Sequence, residues 1–150
     1  MTSQNISMQN AMPELANTDS EIEQCFNVML ELRPHLLSDT FIKQVREMEP
    51  EGYKLACIRE GKNVVCVAGY RISHNLFMGK NLYVDDLITS KSARSKGYGE
   101  KMIKYLRDIA VVNQCKVFHL DSGTQRAQAH KFYFKQNLTI ASYHFSEKLI

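Results

Sequence analysis

The stretch YVDDLITSKSARSKGYGEKMIKYLRDIA, residues 83–110, decides the fold. Its opening, within Leu82 to Thr89, has the aliphatic, aromatic and β-branched composition of a strand. Its end is a helix, with Met102, Leu106, Ile109 and Ala110 recurring along one face. Between them, Arg94-Ser95-Lys96-Gly97-Tyr98-Gly99 stands where the chain enters the helix. A helix start offers unpaired N–H groups and a partial positive charge. Glycine at 97 and 99 allows close approach to the backbone, and Arg94 and Lys96 add charge. These are the parts of a pyrophosphate cradle. A Gly motif this short, taken alone, reads rather as a tight turn with a solvated basic face. It is not a complete dinucleotide fingerprint, and no G-x-x-x-x-G-K-[ST] run exists for nucleotide hydrolysis.

Upstream of this stretch, Tyr53 to Arg59 and Val64 to Ser73 read as two further strands. Turns are expected at residues 60–63 and 75–79. Downstream, Lys116 to Leu120 reads as a short strand, Gln125 to Lys135 as a helix and Leu138 to Phe145 as a final strand. Near the start, Thr18 and Glu21 have capping-box spacing before Ile22, Cys25, Phe26, Met29 and Leu30, which predicts a helix from about Asp19 to Arg33, interrupted by Pro34. Ser38 or Asp39 is placed to cap a second helix through Phe41, Ile42, Val45 and Met48. Residues 1–11 are polar and aperiodic and read as a disordered tail, leaving 12–150 as a single domain. Strands in a meander followed by strand-helix-strand-helix-strand describe a mixed α/β sheet.

Composition sets the outer limits. At 44% hydrophobic and 23% charged, the 150 residues match one globular domain, not a collagen, a mucin-like stalk, a long coiled coil or a disordered chain. The apolar run Val64 to Tyr70 is far short of the roughly 20 residues a spanning helix needs, so no membrane is expected as a partner. Glu14, Asp19, Glu21, Glu23 and Glu31 precede the first basic residue, Arg33, so residues 1–32 carry −5 and the rest +8. That start resembles neither a secretory signal nor a mitochondrial presequence, and a cytoplasmic location is expected. The downstream positive charge suits an anionic ligand but is too dispersed for a nucleic-acid binder. Cys25, Cys57, Cys66 and Cys115 show no C-x-x-C spacing and complete no zinc pattern with histidine, so no metal is expected and the cysteines read as buried apolar residues in a reducing compartment.

Three further clusters carry candidate chemistry. Strand alternation sends Asp85 and Asp86 to opposite faces, so a carboxylate directed at the core needs a partner, structural or catalytic. His119 and Asp121 share a face at the carboxyl end of their strand, where ligands gather in open α/β sheets. His119 reads as a satisfied, half-buried imidazole, and Asp121 as a proton acceptor or a helix cap. Tyr133 lies with Ala129, Phe132 and Gln136 on one helix face and has a polar tip that needs a partner when buried.

Together these residues resemble the GNAT superfamily of acyl-CoA N-acyltransferases. Arg94, Gly97 and Gly99 fill its R/Q-x-x-G-x-G/A signature, and Asp86 and Asp85 stand eight and nine residues before the Arg. Leu120-Asp121-Ser122, Ala129 and Tyr133 align with its second signature, and the likeness covers roughly residues 53–145. It differs in carrying Arg126 where the family has Asn, Asp121 where some members have Glu, and Asn137 before the last strand where Gly is usual.

The resemblance implies a three-layer αβα fold whose mixed, mostly antiparallel sheet splays between its fourth and fifth strands. It implies acetyl-CoA as co-substrate, with pantetheine along Leu87, Ile88 and Thr89, pyrophosphate on Ser95, Lys96, Gly97, Tyr98, Gly99 and Glu100, and Arg94 and Arg126 as further contacts. The expected activity is transfer of an acetyl group to a primary amine of a small molecule or peptide by direct attack. Tyr133 is the implied general acid, and Asp121 or Asp85 the implied base, directly or through water. The alternative is a non-catalytic acyl-CoA sensor or interaction module on the same fold. The expected partners are the amine substrate and a second copy in a homodimer.

Overall fold

Tight turns and apolar strands fix the centre of the sheet before any long-range contact is needed. A computed structural model describes residues 11–150. β1 is the two-residue strand Glu14–Leu15; β2 (Lys54–Glu60), β3 (Asn63–Asn75) and β4 (Gly79–Thr89) follow as an antiparallel meander. β5 (Val117–Leu120) completes the order β1-β2-β3-β4-β5 and runs parallel to β4. It starts beside the start of β4, where Lys116 N–H donates to Lys80 C=O at 2.7 Å. The helices are α1 (Asp19–Gln24), α2 (Phe26–Leu32), α3 (Phe41–Met48), α4 (Tyr98–Val112) and α5 (Ala127–Lys135). The mixed α/β class is as the sequence predicts. The chain divides into two compact units, one ending at His119 and the other starting at Leu120, and each is described by itself.

Both faces of the sheet in the first unit are covered, which is why β3 reads as an unbroken apolar run from Val65 to Tyr70. On one face Ile22, Cys25, Val28 and Met29 of the α1–α2 segment, with Phe41 and Val45 of α3, pack on Tyr53, Leu55, Cys57, Val67 and Ile88. α4 packs against β3 and β4 and buries Met102, Ile103 and Leu106 completely. The helix start at Thr18 carries the expected capping box: Thr18 Oγ1 accepts from Glu21 N–H, and the Glu21 carboxylate accepts from Thr18 N–H. Those backbone donors hold the Glu21 carboxyl below its ordinary range.

Four local readings are corrected. The helix expected from Asp19 to Arg33 is broken at Cys25, whose thiol donates to the Glu21 C=O at 3.4 Å while its N–H turns to Ile22 C=O. α3 is capped at Thr40, not at Ser38 or Asp39. Ala11, the last residue of the expected tail, is buried, with its C=O accepting from Lys101 Nζ; residues 1–10 lie outside the described residues. The strand expected over Leu138 to Phe145 does not form; the chain has no helix or strand after Lys135, and residues 141–150 are all exposed. β1 was not anticipated, because two residues are too short for a periodic signal; its pairing to Ala56 and Cys57 creates it.

Gly69 marks the tightest point of the first unit. A Cβ there would lie 2.0 Å from the Tyr53 hydroxyl oxygen and 2.5 Å from two ring carbons. Gly69→Ala is therefore expected to push the Tyr53 ring aside and to lower stability by about 1–3 kcal/mol, the usual cost of overpacking. Urea denaturation of the variant against the wild type measures this.

Candidate active site

The site begins with a pairing irregularity. Gly69 of β3 pairs with Asp86 of β4, but the next residue, Tyr70, pairs with Val84, so Asp85 is the extra residue of a β-bulge. A bulge shifts the alternation by one. Before it, Leu82 and Val84 are buried while Tyr83 and Asp85 are half exposed; after it, Ile88 is buried within the α1–α3 core cluster. Tyr83, Asp85 and Asp86 therefore all line one cavity, with Met29, Arg33, Phe41, Met48 and Tyr53 among its other walls. The expectation that alternation separates the two carboxylates fails for this reason.

The cavity has a volume of about 700 Å³ and lies wholly within the first unit. Its acidic groups are Glu47, Glu51, Asp85 and Asp86. Arg33 Nε donates to Asp86 Oδ1 at 2.9 Å and its Nη2 to the Asp85 C=O at 3.0 Å. Tyr53 Oη donates to Asp86 Oδ2 at 2.9 Å. Arg71 holds Asp85 through Nε at 3.0 and 3.1 Å and Nη2 at 2.9 Å, and reaches Glu51 at 3.2 Å. Those contacts raise the Arg71 pKa, chiefly through the bonds to Asp85. Burial, then the Asp86 charge, pushes the Tyr53 phenol well above its ordinary value, so it is a firm donor. Arg33, Tyr53 and Arg71 were not candidates from sequence, because residues 15–53 positions from the acidic pair carry no local signal. Asp86 was noted only as part of the pair.

The second part of the site in this unit is the start of α4. Ser95 and Gly97 both adopt the left-handed conformation, at φ +65° and +84°. A run of backbone N–H groups through such residues forms a concave anion nest. Gly97 is the residue before the helix, and no atom lies within 4 Å of where its Cβ would be, so the cradle is open to solvent. Arg94, Ser95, Lys96 and Glu100 are exposed. The Tyr98 side chain is buried: its hydroxyl donates to Glu60 at 2.6 Å, and burial with that carboxylate pushes its pKa to about 12. Only its backbone N–H remains for a ligand. Lys96 also reaches Glu60, at 3.6 Å. Leu87, Ile88 and Thr89 pair with Ala68, Val67 and Cys66 of β3 and lie beyond the stretch of β4 at which β5 begins.

His119 is a packed, satisfied imidazole, as read from sequence. The side chain of Asn81, 1% exposed, gives its two N–H donors to the Ser73 and Gly79 carbonyls. Its oxygen, 2.8 Å from His119 Nε2, must therefore accept, which assigns the Nε2–H tautomer. The imidazole also lies against Tyr83, with ring centroids 5.0 Å apart.

In the second unit, Asp121 follows β5, with His144 Nδ1 3.8 Å away. The next residue carries a buried Ser122 Oγ with no hydrogen-bond partner. Arg126 stands at the start of α5, its N–H bonded to Gly123 C=O at 3.0 Å. Tyr133, on the same helix, is half-buried against Phe132, and burial raises its pKa more than the Arg126 charge lowers it. Among the described residues, no group of three or more His, Cys, Asp or Glu side chains is placed to hold a metal ion, and no helix is long and apolar enough to cross a membrane.

Known proteins give this geometry a context. A family model for the GNAT family of acetyltransferases matches residues 15–137. The uncharacterized N-acetyltransferase YhdJ of Bacillus subtilis is 32% identical over 127 residues, 83% of this chain and 89% of that protein. The thialysine N-epsilon-acetyltransferase of Mus musculus is 29% identical over 83 residues, 53% of this chain and 49% of that protein. The structure of an aminoglycoside N-acetyltransferase, AAC(6')-Iy, in complex with CoA shares the fold at a TM-score of 0.80 and 11% identity, over 94% of this chain and 97% of that one. The match over most of the chain, together with the glycine cradle and the acidic bulge, means that this protein belongs to the GNAT family of acetyltransferases.

Proposed function

We propose that the protein transfers an acetyl group from acetyl-CoA to a primary amine whose cationic end lodges in the cavity at the β4 bulge. The observation that carries this reading is the pairing, within one unit, of an anion cradle at Ser95–Gly97 with an acidic cavity at Asp85 and Asp86. The open backbone at the start of α4, with Arg94 and Lys96 beside it, suits a pyrophosphate. The cavity's four carboxylates exceed its two neighbouring guanidiniums, Arg33 and Arg71, which suits an ammonium group. The relatives named for thialysine and for spermidine or spermine support an amine acceptor of this class.

The acceptor ammonium first loses a proton to Asp85, Asp86 or Asp121, directly or through water. The freed amine nitrogen then attacks the thioester carbonyl; the C–N bond forms and the C–S bond breaks. Tyr133 gives its phenolic proton to the departing thiolate. Its raised pKa supports that role, because burial keeps the phenol protonated. Arg33, Tyr53 and Arg71 act as positioning residues: they fix both carboxylates while leaving lone pairs on each for the substrate.

Acetyl-CoA binding is the first test. Calorimetry on the wild type is expected to show binding, and no heat with either acetyl-CoA or CoA rules the reading out. Arg94→Ala is expected to weaken binding by about tenfold, the worth of a charge-assisted contact, with stability changed by less than about 0.5 kcal/mol because Arg94 is exposed.

Acceptor choice tests the cavity. A primary diamine is expected to give a lower KM than a monoamine of the same length with a neutral end. Asp85→Asn and Asp86→Asn are each expected to raise KM for the diamine by about tenfold, with less effect on the monoamine. Equal responses of both amines would show that the cavity does not read charge.

Tyr133→Phe is expected to lower kcat by about 10²–10⁴-fold with little change in acetyl-CoA affinity, since a general acid acts in the transition state. The sign of its shift fixes the pH behaviour. A phenol raised above its ordinary 10 stays protonated below that pH, so the wild type shows no loss of kcat from this group until the pH passes 10. An unchanged kcat in Tyr133→Phe, with chemistry rate-limiting, removes the assignment.

A further inference from the structure

The chain after α5 combines a strand's sequence with no strand's pairing. From Leu138 to Phe145 it reads Leu-Thr-Ile-Ala-Ser-Tyr-His-Phe, and alternation puts Thr139, Ala141, Tyr143 and Phe145 on one face and Leu138 and Ile140 on the other. Residues 141–150 are nevertheless all exposed; Tyr143 is 84% and Phe145 92% exposed, and Ile140, Leu149 and Ile150 are also exposed. Apolar residues this numerous on one uncovered segment mark an interaction surface.

The same chain carries a matching acceptor. β5 is the last strand in the sheet order, so one of its sides has no neighbouring strand. All its residues are only half-buried. Natural proteins seldom leave such an edge bare.

We propose that residues 138–145 of each chain add a strand along β5 of a second copy, giving a reciprocally exchanged homodimer. The choice of a second copy rests on economy of parts. Each chain offers one arm and one edge, so a two-fold pair satisfies both arms and both edges and leaves no open end for further growth. Eight extended residues reach about 26 Å, ample for the roughly 13 Å of β5. The inference goes beyond the proposed activity and does not depend on it.

Sedimentation equilibrium of the full chain tests it, with hydrogen exchange read on the same samples. The expected result is a dimer of twice the 17.3 kDa chain, with protected amides both in β5 and over residues 138–145. Truncation after Asn137 is expected to give a folded monomer, by circular dichroism, in which β5 exchanges faster by at least tenfold. If that truncation does not fold, Tyr143→Pro replaces it: a proline there removes a ladder donor and is expected to raise the dimer dissociation constant by tenfold or more. Three results overturn the proposal. One is a monomer with a protected arm, which places the arm on its own sheet. Another is a monomer with an unprotected arm. The third is a dimer that neither change weakens, which must associate through another surface. Acetyl-CoA binding, measured separately, reports on the proposed function alone.

Discussion

One extra residue in β4 is the constraint from which the candidate site follows. Because Asp85 has no partner on β3, Asp86 faces Gly69 and the strand changes which of its residues face the core. Without that insertion one carboxylate would be turned into the opposite, apolar layer, where a charge is costly. With it, both enter the same cavity. The absence of a side chain at Gly69 then lets the Tyr53 ring lie flat over the strand and reach Asp86.

The ion pairs around the bulge are better understood as positioning than as stability. Arg33 is about half exposed, and an exposed pair contributes little. What the pairs do is tie separate elements to one point. Arg33 comes from the end of α2, Tyr53 from the approach to β2, and Arg71 from β3. Each places a donor on a carboxylate oxygen, so the orientation of Asp85 and Asp86 is set by three parts of the chain at once.

The two units differ in how complete their packing is. In the first, α4 and β3 bury whole side chains and Asn81 is fully satisfied though it lies in the core. In the second, α5 has no buried residue, and the segment after it exposes most of its apolar side chains. Apolar surface left in water is a loss of driving force. That contrast locates where the molecule has binding capacity to spare.

The sequence by itself determined the parts governed by local rules. The capping box at Thr18, the meander over residues 53–89, the glycine cradle at 94–99 and the helix after it were all legible, because periodicity, caps and turn residues act over a few positions. So was the satisfied state of His119, from its place within its strand. Tertiary structure alone decided the rest. The bulge at Asp85 arises from pairing with β3, so alternation gave the wrong face for one carboxylate. The thiol of Cys25 broke a helix that its apolar spacing predicts to continue. Residues 138–145 have the composition of a strand and form none, because a strand exists only where another supplies its hydrogen bonds. Arg33, Tyr53 and Arg71 became part of the site only when folding brought distant charges and donors within 3 Å or so of the acidic pair, and no local pattern encodes that distance.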